Sequence, residues 1–253
     1  MPDSTHMVSP AQRKWLPPLT AVGFFMQTLD GTILNTALPS MAEALGESPL
    51  QMQSVVIAYM LTVALLIPAS GWLADRFGTR RVYLAAILLF TLGSLACAVA
   101  NTLPVLVVAR VLQGVGGALL MPIGRLAVLR VYSKHELLRV MSFVTIPGLL
   151  GPLIGPALGG WLVEVASWHW VFLINLPVGV IGFVASWHFM PELRQITARF
   201  DWQGFVLFSI GMVLVSVGLQ GLGEHSLSTG WALFALLFGL AAMASYWLYA
   251  ATA

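Results

Sequence analysis

The stretch Gly71-Trp-Leu-Ala-Asp-Arg-Phe-Gly-Thr-Arg-Arg81 separates two long apolar runs. Its last seven residues contain three arginines, one aspartate and Gly78, a residue that favours turns. The roughly 20 residues on either side carry no charge, which is the length that an α-helix needs to cross a bilayer core of about 30 Å. We therefore predict that residues 75–81 form a short basic hinge at the membrane surface, between two membrane-spanning helices.

The composition of the whole chain indicates a membrane protein. Of its 253 residues, 58% are hydrophobic and 9% are charged, whereas an ordinary soluble domain has about 25% charged residues. Such a chain cannot cover a surface that faces water, so we expect an all-α polytopic protein embedded in a lipid bilayer. The single cysteine, Cys97, lies in an apolar run, so it forms no intrachain disulfide and indicates no redox compartment.

Eight membrane-spanning helices are predicted, at residues 17–38, 52–74, 82–101, 103–124, 141–163, 171–190, 203–222 and 230–250. They divide the chain into a cytoplasmic N-terminal tail (1–16), a six-helix transmembrane bundle (17–190), a cytoplasmic linker (191–202) and two additional transmembrane helices (203–253). The first apolar run is too long for a cleaved signal peptide, and many more spans follow. The last span has no basic flank, so we expect a truncated chain, with a natural end at Ala253 as the alternative.

The positions of Lys and Arg set the expected orientation, because short cytoplasmic loops carry an excess of these residues. With the N-terminus in the cytoplasm, eleven of the twelve lie in cytoplasmic segments, and the outside loops carry Glu43, Glu47, Glu164 and Glu224 instead. The remaining one, Arg110, lies within a span. The cytoplasmic cations are Arg13, Lys14, Arg76, Arg80, Arg81, Arg125, Arg130, Lys134, Arg139, Arg194 and Arg199.

Two ionisable residues lie inside the predicted spans at matching depth. Asp30 is eight residues from the outer end of the first span and Arg110 is seven from the outer end of the fourth, so both lie about 10–12 Å below the outer surface. Ionisable groups inside membranes are costly and usually functional. Two interpretations stay open: a proton-coupling pair in which Asp30 titrates beside the guanidinium, and a permanent ion pair that joins two helices.

The fifth span carries a repeat of small residues. Gly151, Gly155 and Gly159 recur every four residues, so they share a helical face that a neighbouring helix can approach closely. Pro152 and Pro156 remove amide donors and are expected to bend the helix. A packing seam and a span that bends as a cavity opens are both consistent with this pattern.

Uncharged polar residues in the spans are candidates for lining a substrate cavity. We assign Gln27, Asn35 and Gln113 to this role, with hydrogen bonding to neighbouring backbone as the alternative. Gln27, Asp30 and Asn35 do not all share one helical face, so they do not all line one cavity. Arg125 lies about 22 Å along the helix from Arg110 and is expected to reach water at the inner surface.

The sequence contains no pattern typical of an enzyme. It lacks the zinc-protease pattern, the G-x-S-x-G nucleophile elbow and the G-x-x-x-x-G-K-[ST] phosphate loop. Its five histidines are scattered and form no metal-ligand cluster. We therefore predict no catalytic residue, no metal, no cofactor and no nucleic-acid partner.

Four stretches resemble motifs of the major facilitator superfamily, and in particular of its fourteen-span drug:proton antiporters. Thr79 departs from the hinge motif, which often has a basic residue at that place. The matching residues are Gly71, Leu73, Ala74, Asp75, Arg76, Gly78 and Arg80 in the hinge; Leu106, Arg110, Gln113, Gly114 and Gly116 in span four; Gly151, Gly155, Pro156, Gly159 and Gly160 in span five; and Leu29, Asp30, Thr32, Asn35, Ala37, Leu38 and Pro39 in span one.

The resemblance implies the N-terminal six-helix bundle of a major facilitator fold plus two further helices, with the second bundle absent from this chain. It implies proton transfer at Arg110 and Asp30, an antiporter motif at Gly151, Gly155, Pro156, Gly159 and Gly160, and a conformational latch against the missing bundle at Gly71, Asp75, Arg76, Gly78 and Arg80.

The function that the resemblance implies is proton-driven export of small amphiphilic compounds, antibiotics included, across the bacterial inner membrane. The energy source would be the proton gradient rather than a cofactor. The alternatives are an uptake carrier or uniporter for a polar solute, and a non-transporting truncated membrane protein. The sequence names neither the substrate nor the proton stoichiometry.

The predicted orientation can be checked by labelling in spheroplasts, with Cys97→Ala as the background. The variant Arg81→Cys is expected to react with a membrane-impermeant maleimide only after permeabilisation, because the hinge faces the cytoplasm. Glu47→Cys is the control and is expected to react in intact spheroplasts. Labelling of position 81 in intact spheroplasts would overturn the orientation.

Overall fold

The computed structural model describes residues 8–195, 199–223 and 228–252. The first seven residues of the predicted tail, residues 196–198 of the predicted linker and Glu224 lie outside the described residues. Within the described ranges the regular structure is helical throughout: α1 (Pro10–Leu45), α2 (Pro49–Phe77), α3 (Thr79–Ala98), α4 (Leu103–Val131), α5 (Lys134–Val165), α6 (Trp170–Leu173), α7 (Asn175–Phe189), α8 (Trp202–Gly223) and α9 (Thr229–Thr252).

The chain divides into two compact units, residues 1–197 and residues 198–253. The first contains α1 to α7 and the second contains the α8–α9 pair. The core of the first unit consists of two apolar clusters that follow one another along the helices. On α1, Leu16 and Met26 belong to one cluster, whereas Ile33 and Met41 belong to the other. The change from one cluster to the other on α1 occurs next to Asp30.

Seven helical segments of the described chain are long and apolar enough to cross a membrane, and they correspond to predicted spans two to eight. The difference from the predicted eight is α1. Its 36 residues are long enough for a crossing, but Gln27, Asp30 and Asn35 make it less apolar. This helix packs against α2, α4, α5 and α7, so its polar side chains can find partners inside the bundle.

Helix α1 begins at Pro10, seven residues before the predicted first span. Ser9 caps it, because its side chain accepts a hydrogen bond from the Gln12 amide while the Gln12 side chain accepts one from the Ser9 amide. Pro10 suits the first helical position, where no amide donor is needed. The last part of the predicted tail is therefore helical. Helix α1 ends at Leu45 and is capped by Gly46, which has a φ of 68°.

The predicted sixth span, 171–190, corresponds to one apolar helical segment, Trp170–Phe189, that is long enough to cross a membrane. A single turn residue with helical dihedral angles, Ile174, separates α6 from α7 within it. The Phe172 carbonyl accepts from the Ile174 amide and also from the Ser94 hydroxyl on α3, the latter at 2.9 Å. This short break places Asn175 at the first position of α7, where its side chain is buried.

Helices α1 and α5 pack along a seam of threonines against glycines. An added Cβ on Gly151 would lie 2.7 Å from the Leu29 amide nitrogen, so only glycine fits there. The Thr32 hydroxyl lies 3.2 Å from the Gly151 carbonyl, to which it donates across the seam. The facing pairs are Thr28 with Gly151, Thr32 with Gly155, and Thr36 with Gly159.

The seam predicts a contrast between two glycines of the fifth predicted span. Gly151→Ala is expected to lower the free energy of unfolding by about 1–3 kcal/mol, because its Cβ overlaps backbone atoms of α1. Gly160→Ala is the matched control, since its Cβ has no neighbour within 4 Å among the described residues. The measurement is the thermal midpoint of the purified chain in detergent. Equal midpoints for the two variants would contradict the close α1–α5 contact.

Candidate functional site

The first unit contains a buried ion pair between α1 and α4. Arg110 Nη1 lies 2.7 Å from Asp30 Oδ2, and each side chain is 1% exposed. The structure thus brings together the two residues that were predicted to lie at matching depth. A pair at this distance, away from water, is a strong charge-assisted hydrogen bond.

The second carboxylate oxygen of Asp30 is held by two amide groups. Oδ1 accepts from Gln113 Nε2 at 2.7 Å and from Asn175 Nδ2 at 3.1 Å. Gln113 lies one helical turn from Arg110 on α4, and Asn175 begins α7. Both oxygens of the buried carboxylate therefore have donors, as a charged group inside a membrane protein requires.

Arg110 contacts further groups besides Asp30. Its Nη1 donates to Gln113 Oε1 at 2.7 Å, and its Nε donates to the Val55 carbonyl of α2 at 3.4 Å. The guanidinium carbon lies 4.1 Å from the centre of the Tyr59 ring, a cation–π contact. The guanidinium is therefore fixed by α1, α2 and α4 together.

The network extends to α3 and to the break between α6 and α7. Asn175 Nδ2 donates to Ser94 Oγ at 3.0 Å, and Ser94 donates to the Phe172 carbonyl. The Cys97 Sγ lies 3.6 Å from Gln113 Oε1. The described polar network thus connects six of the seven helices of the first unit, α1 to α4 with α6 and α7.

Two buried polar atoms near this network have no hydrogen-bond partner among the described residues, Gln27 Oε1 and the Tyr59 hydroxyl oxygen. The Tyr59 hydroxyl lies 2.6 Å from the position that a Cβ on Gly117 would take. Glycine at 117 thus makes room for the tyrosine ring that covers Arg110.

The three residues predicted to line a cavity lie in different surroundings. Gln113 is fully buried, and both ends of its amide are bound within the ion-pair network, so its assignment to an open cavity is corrected. Asn35 is exposed, whereas Gln27 is half-buried. The physical reason is that Gln113 shares a helical face with Arg110 three residues earlier.

The hinge residues lie at the end of α2 and the start of α3. Asp75 Oδ1 forms an ion pair with Arg130 Nη2 of α4. Gly78 has a φ of 94°, which favours glycine, and it ends α2. Arg80 donates to the Trp187 carbonyl, and its guanidinium lies 5.5 Å from the centre of the Trp187 ring.

Gly71 and Arg76 differ from the other hinge residues. An added Cβ on Gly71 would meet no atom of the described chain within 4 Å, and Arg76 is exposed. In the fifth predicted span, Pro156 and Gly160 are also exposed, while Gly151, Gly155 and Gly159 are buried in the seam.

Thr79, the departure from the hinge pattern, is fully buried beneath residues 190–195. Its hydroxyl donates to the Pro191 carbonyl at 2.7 Å and accepts from the Leu193 amide at 3.0 Å. Its own amide donates to the Leu193 carbonyl at 3.1 Å. These bonds fix the segment that follows α7 against the hinge.

In a comparison against known families, the model of the Major Facilitator Superfamily matches residues 20–253. The chain belongs to the major facilitator superfamily. The expected fold class is confirmed: the chain has a major facilitator fold and covers part of the family's architecture.

Curated relatives are similar over nearly the whole chain. A protein of Pectobacterium atrosepticum named "Putative multidrug resistance protein MdtD" is 55% identical over 248 residues, covering 96% of this chain and 52% of the relative. A Serratia proteamaculans protein of the same name is 52% identical over 240 residues, covering 95% of this chain and 50% of the relative. The chain spans about half the length of the curated relatives it matches.

Solved structures of two transporters share the fold at low identity. The crystal structure of the peptide transporter POT in complex with sulfate has a TM-score of 0.64 at 19% identity, covering 92% of this chain and 51% of the other. The POT family transporter PepTSo has a TM-score of 0.66 at 14% identity, covering 91% of this chain and 52% of the other. These similarities support the fold alone.

Sequence reasoning missed part of this major facilitator site. Asn175 was visible as a polar residue in an apolar span, and Pro177 after it favours a helix start nearby. Ser94 and Tyr59 carry no such signal, because serine and tyrosine are ordinary residues of membrane helices. Their roles follow from the helix neighbours, which the sequence does not specify.

The buried pair predicts non-additive effects on stability. Arg110→Gln is expected to cost about 3–5 kcal/mol, because it leaves the buried carboxylate of Asp30 without its counter-ion. The double variant Asp30→Asn with Arg110→Gln is expected to recover much of that loss, since no buried charge remains. The measurement is the unfolding midpoint in detergent.

Arg130→Gln is the matched control, because its pair with Asp75 is partly exposed, at 13% and 24% for the two side chains. It is expected to cost less than Arg110→Gln. A double variant at 30 and 110 that is as unstable as the sum of the two single variants would show that the two charges are not coupled.

Proposed function

We propose that this chain is the N-terminal part of a proton-coupled multidrug exporter of the bacterial inner membrane, with its N-terminus in the cytoplasm. The observation that carries the proposal is the fully buried Asp30–Arg110 pair, held by Gln113 and Asn175. The relatives' name supports a role in multidrug resistance. The protein would be a carrier rather than an enzyme, with small amphiphilic compounds as substrates and the proton gradient as its energy source.

Protonation of Asp30 would act as the switch. A proton on the carboxylate removes its negative charge and with it most of the attraction to Arg110. Helix α1, which carries Asp30, is then less strongly tied to α4. A ligand or proton can shift a conformational equilibrium only by its different affinity for the two states, and the charge of Asp30 supplies that difference.

The free energy that one entering proton delivers is comparable with the free energy needed to disrupt a buried ion pair. A proton that enters across a potential of 100 mV delivers about 2.3 kcal/mol. Each pH unit of gradient adds about 1.4 kcal/mol. Disrupting a buried ion pair costs about 3–5 kcal/mol. One proton in an ordinary gradient is therefore enough to compensate for the loss of this pair.

The second half of the transporter would pack against the hinge. Gly71 and Arg76 are open to such contact in this chain, whereas Asp75, Gly78 and Arg80 already bind within the first unit. Pro156 and Gly160 are exposed and lie outside the α1 seam on α5. These open residues suit the surface where a second six-helix bundle would meet the first.

The test is transport by a full-length protein that carries this chain as its first half, reconstituted in vesicles with an imposed pH gradient. Asp30→Asn is expected to reduce proton-driven drug export to background, because an amide cannot exchange a proton. Glu43→Gln, an exposed carboxylate-to-amide change on α1, is the control and is expected to export normally. Undiminished export by Asp30→Asn would exclude Asp30 as the coupling site.

A further inference from the structure

A cavity of about 430 Å³ lies between α1, α4 and α5. The α4 residues in its wall all follow Arg110 of the ion pair in the chain. The wall is mostly apolar and includes Phe24, Met121, Leu129 and Val144. The polar side chains in the wall include Arg125 and Thr145. The volume falls within the range of about 300–1,000 Å³ that is typical of small-molecule sites.

Arg125 gives this cavity an uncompensated positive charge. Among the described residues Arg125 has no ion pair, whereas Arg13, Arg110 and Arg130 each pair with a carboxylate. No acidic residue of the described chain lines the cavity. Arg125 is exposed, so its charge is available to a ligand that enters the cavity.

The chemistry of the wall selects one class of ligand. A guanidinium attracts a group of opposite charge and repels a group of like charge. The apolar side chains favour a ligand with an apolar body. An amphiphile with an anionic group satisfies both parts of the wall, whereas a lipophilic cation satisfies only the apolar part.

The cavity also adjoins the seam between α1 and α5. The Phe24 ring lies in its wall and packs against Gly148 of α5, one turn before the first seam glycine, Gly151. A bound molecule therefore contacts both helices of the seam at one end. A ligand at Arg125 would therefore also contact α1 and α5, which a ligand at an isolated surface arginine would not.

We propose that this cavity binds an amphiphilic compound through an anionic group that contacts Arg125, with the apolar body of the compound against Phe24 and Val144. The role of the compound as the transported substrate rests on the proposed export function, whereas binding itself does not. Arg125 is then a specificity-determining residue that favours anionic over cationic compounds.

The test uses the whole purified chain in phosphatidylcholine nanodiscs and equilibrium dialysis, with empty discs subtracted. The probes are naphthalene-2-sulfonate and a naphthyl-trimethylammonium ion of similar size. The sulfonate is expected to bind saturably and at least about tenfold more tightly than the ammonium ion. Arg125→Gln is expected to weaken sulfonate binding about fivefold, because it removes one charge contact of an exposed guanidinium.

Two further variants separate the cavity from general surface charge. Arg139→Gln removes an exposed cation of α5 that lies outside the cavity wall, and it is expected to bind the sulfonate normally. Thr145→Phe fills the cavity while Arg125 keeps its charge, and it is expected to weaken binding of both probes. If Arg125→Gln does not fold, Thr145→Phe decides the question.

Three results would overturn the proposal. They are equal sulfonate binding by the wild type and a folded Arg125→Gln, an equal loss in Arg139→Gln, and unchanged binding in Thr145→Phe. Displacement of the sulfonate by phosphatidylglycerol in the discs would assign the cavity to a lipid headgroup and overturn it too. Asp30→Asn is expected to retain sulfonate binding, so failure of proton coupling and failure of anion binding give different results.

Discussion

A carboxylate inside a membrane protein cannot be left without partners, and the first unit is arranged around that constraint on Asp30. The guanidinium of Arg110 and the amides of Gln113 and Asn175 supply the donors. Each donor then has requirements of its own. Arg110 needs an acceptor for its Nε, which the Val55 carbonyl provides. Asn175 in turn donates to Ser94, and Ser94 donates to the Phe172 carbonyl, so the hydrogen bonds join six helices.

The sequence predicts how deep the site lies in the membrane better than it predicts which residues form the site. A rise of 1.5 Å per residue places Asp30 and Arg110 at one level, and the structure pairs them. Depth does not determine which way a side chain faces, so Gln113 was assigned to a cavity although it lies one turn from Arg110. The boundary between α6 and α7 at Ile174 has no signal in the sequence, because hydrophobicity is continuous across it and Ile174 keeps helical dihedral angles.

The same reasoning explains the hinge, where Thr79 departs from the motif that the hinge sequence resembles. Position 79 is fully buried, so a long basic side chain there would lose its hydration without a described counter-ion. A threonine hydroxyl instead both donates to and accepts from the backbone of residues 191–193. The hinge of this chain is therefore fixed by neutral hydrogen bonds at 79 and by the charges of Asp75 and Arg80 on either side.

Helix α1 connects the parts of the first unit that matter for the proposed function. Its contact with α5 is a seam of threonines against glycines, which permits close approach and includes the bond from Thr32 to the Gly151 carbonyl. Its buried charged contact is the bond from Asp30 to Arg110 of α4. Phe24 lies more than one turn before Asp30 on the same helix and lines the Arg125 cavity. A change in the charge of Asp30 and a molecule in that cavity therefore act on the same helix, which is the physical basis on which a proton and an anionic solute can be coupled.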